Sequence, residues 1–461
     1  QPSEIVLQCK KVFKNIIAYY KFDFDGKKES MYALRPAFDT VADMIGKGKK
    51  VPESLLVIFE NNPEYSAKLD SLINAKDKVP FKIFDKKNAE KLFGKNLNIS
   101  ASQLEKFNLC RFSYFCNYGL NVRERQKAEI NPMQYGTIVH YILERFFGEY
   151  TKEEYLSLEE DKFQKIVCAY LAEYAVKYFG EEQLESNSFT YRLKTILDNV
   201  MYLMKHIMEE LSQSEFFVAD CELKIGEDIP SYTIVLPDGH KIAVCGSVDR
   251  VDIMQRADIT YLRIIDYKTG TKQFKLSDIL YGINLQMLLY LHSIEASGGD
   301  KYGEIVPAGI LYMPATVPYI SSDSLKSIDK LPDELNKKLK MNGLLLKDTE
   351  IIHGMDKTDV ATYIPVKIKA GEPVSSTSLA TLAEFGKIFK KVDMLIAEMG
   401  KNIYNGNIEA KPLKGGHDSC EYCPYDSVCA YRQSNPITCF SVDNKTVIEE
   451  ITNEINGKEE E

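Results

Sequence analysis

The sequence predicts a mixed α/β (α+β) fold in which helices flank a central mixed sheet. Apolar residues recur at helical spacing over residues 97–215, and the pattern changes to the two-residue alternation of strands over 232–268. A further helical pattern at 280–296 precedes a strand pattern at 303–315. Strands that alternate with helices in this way are typical of a layered domain with its sheet at the centre.

The bulk properties narrow the classes of protein. A chain of 461 residues is long enough for two or three domains, and a formal charge of −9 argues against nucleic acid coating the whole surface. It leaves room for a locally basic groove, because binding depends on patches of charge. No apolar run reaches membrane-spanning length and no signal-peptide pattern opens the chain. We therefore expect a cytoplasmic protein with no membrane partner, and, from the initial Gln1, a fragment of a longer one.

The first 96 residues read as mainly helical. Residues 10–22 carry apolar side chains at helical spacing, and loops are expected at 46–54 and 61–65. The sequence contains no GxxxxGK[ST] phosphate loop, so it gives no indication of an ATPase site.

Two helices should follow. Ser100 and Gln103 form one possible capping box, and Ser102 with Glu105 forms another. The pattern predicts a continuous helix from about Gln103 and a second one over 131–147. Helices are expected to continue over 151–215.

The strand region is predicted to be a three-strand antiparallel meander. Asp238-Gly239 is a strong hairpin signal, and a second turn is expected near 256–258. A turn centred near Ala257 would place residue 249 opposite residue 265.

The C-terminal part is less regular. Residues 321–375 are polar and read as an insertion with short elements, whereas 379–403 predict a long amphipathic helix. Residues 441–461 are expected to be an acidic tail, whose end NGKEEE (456–461) should be frayed.

The third strand ends in charged residues. Asp266 and Lys268 point to the same face of the strand, and Asp249 on the neighbouring strand lies within a step of Asp266. Two carboxylates this close repel each other, and a divalent cation removes that cost. Lys268 could then position an attacking water or stabilise a phosphate. The alternative for Asp266 and Lys268 alone is an ordinary salt bridge.

Two helices carry further candidates. His140 follows Gly136 by one turn, and glycine permits close approach of another element. Gln286 and Tyr290 share a helical face and could orient Lys268 or a phosphate. A structural histidine and an ordinary polar helix edge are the alternatives.

The cysteines form a second constellation. Cys420, Cys423 and Cys429 have the spacing C-x2-C-x5-C, which is a strong metal signal with one ligand missing. Cys110, Cys116 and Cys439 are the candidates for the fourth ligand, and a zinc knuckle is the structural alternative.

Four motifs together resemble the RecB-type branch of the PD-(D/E)XK nuclease superfamily. They are Gly136–His140 (G-x-x-x-H), Gly246–Asp252 (G-x-x-D-R-x-D), Asp266–Gly270 (D-Y-K-T-G) and Gln286–Tyr290 (Q-x-x-x-Y). The resemblance implies that Mg2+ or Mn2+ is held by His140, Asp249, Asp266 and the main-chain carbonyl of Tyr267. It assigns catalysis to Asp249, Asp266 and Lys268, with Gln286 and Tyr290 as accessory residues.

The segment 100–112, SASQLEKFNLCRF, is similar to a motif of the AddB-type subunits of bacterial AddAB helicase–nucleases, with Arg111 in place of the usual proline. In that family one cysteine before the nuclease core and three after it bind a four-iron four-sulfur (4Fe-4S) cluster, which acts as a staple. The resemblance therefore implies Cys110 as the fourth ligand, with Cys116 as the fallback.

The same resemblance implies the organisation and the partners. Residues 1–96 would be a remnant of a helicase-like domain, 97–440 the nuclease domain with its clasp at 420–429, and 441–461 a tail. It implies a nucleoid-associated bacterial exonuclease that cuts single-stranded DNA at duplex ends, beside an AddA-like helicase, in break repair and recombination. A silent DNA-binding scaffold and a zinc-stapled hydrolase acting on another substrate are the rival interpretations.

Overall fold

The computed structural model describes residues 33–46, 49–77, 82–123, 132–180, 186–270, 273–318, 320, 331–375, 377–429, 431 and 436–459. Their residues fall into two compact units, one within 1–80 and 430–435 and the other within 81–429 and 436–461. Within the described ranges, none of the helices combines the length and the apolar character that crossing a bilayer requires.

The elements are numbered here in chain order. The helices are α1 (Leu34–Gly46), α2 (Glu53–Glu60), α3 (Ser66–Asp77), α4 (Lys86–Phe93), α5 (Ala101–Leu109), α6 (Arg111–Tyr114), α7 (Pro132–Glu149), α8 (Lys152–Leu156), α9 (Glu160–Phe179), α10 (Asn187–Ser212), α11 (Gln286–Ser297), α12 (Gly299–Tyr302), α13 (Leu331–Leu339), α14 (Thr349–Met355), α15 (Leu382–Tyr404) and α16 (Asn444–Glu459). The strands are β1 (Asn96–Ile99), β2 (Phe217–Ile225), β3 (Thr233–Val235), β4 (Lys241–Val244), β5 (Gly246–Arg256), β6 (Ile259–Lys268), β7 (Glu304–Pro314), β8 (Asn342–Leu346), β9 (Lys367–Lys369), β10 (Glu372–Val374), β11 (Leu379–Ala380), β12 (Leu413–Gly415) and β13 (Ile437–Cys439).

The smaller unit is helical in its described part. Helices α1 to α3 bury a compact apolar cluster in which the rings of Phe38, Phe59 and Tyr65 contact one another at centroid distances of 4.9–5.5 Å. The helices and loops predicted between residues 33 and 77 are confirmed in their described parts, whereas the predicted helix at 10–22 lies outside the described residues.

A six-stranded mixed sheet is the centre of the larger unit, in the order β11-β8-β7-β6-β5-β2. Strands β6 and β7 run parallel, whereas β2, β5 and β6 form antiparallel pairs. Strands β5 to β7 are buried over most of their length, and α7, α10, α11 and α15 contribute to the same core. The predicted fold class, a mixed sheet flanked by helices, is confirmed.

The predicted register of the β5–β6 pair is wrong by one residue. Arg250, and not residue 249, faces Ile265, because the turn uses two residues between Arg256 and Ile259. Ala257 takes a positive φ of 50° in this turn. Continuing the register one step places Asp249 directly across from Asp266, so the two carboxylates are closer than the predicted register implied.

The predicted meander is also wrong, because the chain changes sheets between β4 and β5. The Asp238-Gly239 hairpin forms as expected and joins β3 to β4, but these strands build a separate sheet with β1. Gly246, with φ 159°, begins β5 in the central sheet. The neighbour of β5 on its other side is therefore β2, a strand that the sequence did not predict.

The helix expected from Gln103 begins earlier and is interrupted. Ser100 caps α5 through the box with Gln103, so the helix begins at Ala101. Cys110 adopts an extended conformation (φ −168°, ψ 119°) that ends α5 before α6 begins. Cys110 therefore lies at the break between the two helices, whereas Cys116 lies in the π-helical turn Phe115–Gly119 that follows α6.

Two C-terminal stretches contribute elements to the larger unit. Within residues 331–375, Asn342–Leu346 forms β8, which pairs with β7 in the central sheet. The expected tail forms α16, which buries Val447 and Ile451 and contacts α15 through the ion pair of Lys391 and Glu454. Apolar residues one helical turn apart stabilise this helix despite its acidic end.

A charge network is buried beneath the sheet face opposite the site. Arg250 donates to Glu210 at 3.2 Å and to Asp252 at 2.9 Å, and Arg263 donates to the same two carboxylates at 2.6 and 3.0 Å. All four side chains are fully buried. Two cations and two anions cancel, so the core contains no net charge from this group.

Candidate metal centre and cysteine cluster

Three side chains from three elements meet at one end of the central sheet. His140 on α7 places Nδ1 3.3 Å from Glu222 Oε1 and 3.6 Å from Asp249 Oδ2. Among the described residues, these three form the group of His, Cys, Asp or Glu side chains whose ligand atoms all lie within 4.8 Å of one another. Imidazole nitrogen and carboxylate oxygens are ligands for divalent cations, so the donor set fits a metal ion.

Strand β6 completes the site. Asp266 is buried and contacts the ammonium of Lys268, which is the ion pair that the alternative interpretation expects. The main-chain N–H of Tyr267 donates to Asp249 Oδ2 at 2.9 Å, which fixes that carboxylate against the end of β6. The structure therefore brings His140, Asp249, Asp266 and Lys268 together, as the sequence predicts.

The electrostatics of the site favour a cation. Burial and the facing carboxylate of Asp266 raise the pKa of Asp249 to about 7. For His140, burial alone would lower the pKa, but the hydrogen bond to Glu222 and the charges of Asp249 and Asp266 together raise it. A bound divalent ion offsets the repulsion among these carboxylates.

Glu222 is a site residue that sequence reasoning missed. Its neighbours Cys221 and Leu223 pair with Arg250 and Val248, so Glu222 faces Asp249 across the β2–β5 pair. Ser247 donates to its second oxygen at 2.8 Å. Although burial raises the pKa of Glu222, the hydrogen bonds from His140 and Ser247 hold it below its usual value.

The backbone of Glu222 is unusual for a strand residue. Its φ of 50° lies in the left-handed region, which residues other than glycine rarely adopt. Strained residues of this kind concentrate at functional sites. The sequence offers only a weak signal, because the strand pattern VADCELKI contains two carboxylates, Asp220 and Glu222, and nothing in it singles out the second.

Tyr290 reaches the site from α11, and Gly246 is the residue that makes room for it. A Cβ atom on Gly246 would lie 2.2 Å from the Tyr290 hydroxyl, whereas one on Gly136 would meet Thr269 at an ordinary 3.6 Å. The close approach expected at Gly136 therefore occurs at Gly246. Burial raises the pKa of Tyr290 to about 12, and Asp249 and Asp266 act in the same direction. Gln286 is half-buried in the first turn of α11.

Four of the candidate cysteines, Cys110, Cys116, Cys423 and Cys429, lie close enough for their thiols to affect one another. Burial raises the pKa of the Cys116 thiol, and the neighbouring thiols of Cys429, Cys423 and Cys110 raise it further. Burial also raises the pKa of Cys110, to which Cys423 makes a smaller contribution. Cys420 interacts with the ammonium of Lys414. Cys439, the remaining candidate, packs with Ile283 and Leu413.

Among the described residues, no three cysteines bring their sulfurs within 4.8 Å of one another.

Comparison with known proteins agrees with this geometry. The model of the PD-(D/E)XK nuclease superfamily matches residues 98–430, which is more than half of the chain. The chain belongs to this superfamily.

Its relatives define a narrower group. The chain is 30% identical over 456 residues to a protein of Thermoanaerobacter sp. (strain X514), with 94% of the chain and 39% of the relative covered. It is 31% identical over 490 residues to a protein of Clostridium kluyveri (strain NBRC 12016), with 100% of the chain and 42% of the relative covered. Both relatives are named as a subunit of an ATP-dependent helicase/deoxyribonuclease. The chain thus spans about two-fifths of the length of these relatives.

Proposed function

We propose that the chain is a divalent-metal-dependent nuclease domain that hydrolyses phosphodiester bonds in single-stranded DNA. The observation that carries the proposal is the meeting of His140, Glu222 and Asp249 beside the Asp266–Lys268 pair, at one end of the sheet. Three carboxylates face one lysine and one histidine there, so the site has a surplus of negative charge for a cation to neutralise.

Each residue has a role in the proposed reaction. His140, Asp249, Asp266 and the Tyr267 carbonyl, with Glu222 added by the geometry, would hold the ion. Mg2+ or Mn2+, when bound, supplies the Lewis acidity that activates water and offsets the charge on the phosphate. Lys268 hydrogen-bonds the attacking water or a phosphate oxygen, and Tyr290 and Gln286 orient these groups.

The larger protein is proposed by analogy with the relatives' name. We propose that residues 97–440 are the nuclease part of an AddB-like subunit and that residues 1–96 belong to a preceding helicase-like region. Its partners would be an AddA-like helicase and DNA with broken ends, in recombination and break repair. The support for this is the agreement of the motifs with relatives named as helicase/deoxyribonuclease subunits.

We further propose a 4Fe-4S cluster bound by Cys420, Cys423, Cys429 and Cys110, with Cys116 as the substitute for Cys110. The C-x2-C-x5-C spacing of Cys420, Cys423 and Cys429, and the proximity of Cys423 to Cys110 and Cys116, support this proposal.

The nuclease proposal is tested by incubating the chain with end-labelled single-stranded DNA at low salt. Cleavage is expected with Mg2+ or Mn2+ and not with EDTA. EDTA removes the cation that would activate the water and offset the charge on the phosphate. A circular single strand of the same sequence is the control, since an exonuclease leaves it intact. Cleavage with neither metal would contradict the proposal and favour the scaffold interpretation.

The cluster proposal is tested with protein purified without oxygen. We expect broad visible absorption and about four irons per chain, because each thiolate of a cubane holds one iron. Cys110→Ser should remove both signals, and Cys116→Ser is the matched control. Loss of iron only in Cys116→Ser would identify Cys116 as the fourth ligand. Stoichiometric zinc in the wild-type chain would contradict the cluster proposal.

A further inference from the structure

A basic groove lies between α13 and the β9–β10 hairpin. It has a volume of about 760 Å3, and four lysines line it: Lys337, Lys340, Lys367 and Lys369. No carboxylate and no aromatic ring is among its described lining residues. In a chain with a net charge of −9, such a concentration of positive charge marks a site for an anionic ligand.

The groove begins at the same sheet edge as the candidate metal centre. Asp266 faces Tyr312 on β7, which in turn faces Asn342 at the start of β8. Lys340 and Met341, which line the groove, directly precede Asn342. Two strand spacings of about 4.8 Å separate the backbone of Asn342 from that of Asp266, so the start of the groove wall lies on the order of 10 Å from Asp266, with Asp249 and Glu222 on the strands beyond it.

The lysines differ in how they are held. Lys340 donates to the carbonyls of Ala361 and Val366 at 2.6 and 3.0 Å, which anchors the loop that forms one wall. Lys367 and Lys369 are exposed on the hairpin. Across the hairpin from Lys369, Glu372 accepts a hydrogen bond from Thr349 at 2.7 Å. Lys337 makes an exposed contact with Glu334, which water screens.

We propose that this groove binds the phosphate backbone of the single strand next to the nucleotides being cut. The inference rests on the proposed nuclease function and identifies where the substrate is held. Ammonium groups contact phosphates, and a lining without aromatic rings does not stack on bases. We therefore expect binding in the groove to be independent of the DNA sequence. The groove continues the row of strand ends from Asp266 through Tyr312 to Asn342, which is the direction that the proposal gives to the bound strand.

The test compares two double variants of equal charge. Lys367→Gln with Lys369→Gln removes two groove lysines, and Lys86→Gln with Lys87→Gln removes two exposed lysines of α4. Binding of a fluorescent oligothymidylate is measured with EDTA over a salt series. The groove variant should bind at least about tenfold more weakly at low salt, and its salt slope should fall by about 1.4, or 0.7 per lost phosphate contact. The α4 variant should match the wild type.

The outcomes separate this inference from the nuclease proposal, because binding is measured without cleavage. A groove variant that binds like the α4 variant, or a wild-type chain that binds no oligothymidylate, would overturn the groove. Wild-type binding that depends on the groove, without any cleavage when Mg2+ is added, would support the groove and reject the nuclease. A groove variant that binds DNA like the wild type but no longer binds polyglutamate would overturn the proposed DNA groove in favour of an acidic protein partner.

Discussion

Replacing Lys268 with methionine is expected to slow cleavage of single-stranded DNA on the order of 100- to 1,000-fold, with metal binding retained. The ammonium lies beside Asp266 and stabilises charge that develops during the reaction, which is worth a factor of this size. Methionine keeps the length of the side chain and removes its charge. Lys401→Met on α15 is the control for an exposed lysine.

Metal binding distinguishes this effect from loss of the site. Lys268→Met removes a positive charge beside the carboxylates, so Mn2+ should bind at least as tightly as to the wild type when followed by electron paramagnetic resonance. Asp249→Asn should lose both cleavage and Mn2+ binding, because that carboxylate faces Asp266 and contacts His140. The loss of Mn2+ affinity in Asp249→Asn should exceed about 100-fold, because removing a residue that only supports a metal ligand typically costs 10- to 100-fold in affinity. Undiminished cleavage by Lys268→Met would reject the assignment of this lysine.

The largest effect on stability is expected from the buried charge network. Arg263→Met should reduce the free energy of unfolding by about 3–5 kcal/mol, because it leaves the carboxylates of Glu210 and Asp252 with one cation between them. The loss is measured by urea denaturation followed by circular dichroism.

The β5–β6 hairpin supplies a matched control. Arg256 belongs to the same hairpin but is partly exposed, and it pairs with Glu215 and Glu350. Arg256→Met should cost about 1 kcal/mol or less, because water screens exposed ion pairs. The double variant Arg263→Met with Glu210→Gln removes one positive and one negative charge. It should therefore recover part of the free energy of unfolding that Arg263→Met alone loses. Equal costs for the two arginines would show that burial does not set the strength of the network.

The sequence predicts the local parts of this structure well. The Asp238-Gly239 hairpin, the long helix α15 and the fold class follow from turn chemistry and periodicity, which depend on neighbouring residues. The grouping of His140, Asp249, Asp266 and Lys268 followed from the motifs, and the structure places these residues together. Their functional roles stay predictions.

The parts that local pattern does not determine were missed. Glu222 reaches the site because β2 pairs with β5, and no residue near Glu222 indicates that pairing. The sheet change at Gly246 depends on β1, which pairs with β4 from more than a hundred residues away. The ion pair of Arg263 with Asp252 likewise depends on the register of β5 and β6. A shift of one residue in that register would abolish the pair.

The contacts at the two ends of the larger unit have a mechanical consequence. Tyr404 donates to the carbonyl of Lys95 at 3.0 Å, and Tyr425 donates to the carbonyl of Val122 at 2.7 Å, close to the clustered cysteines. The central sheet therefore lies inside a closed loop of chain. Tension applied between the segment before residue 95 and the segment after residue 425 is therefore expected to load these end contacts before it loads the strand pairs that space the carboxylates.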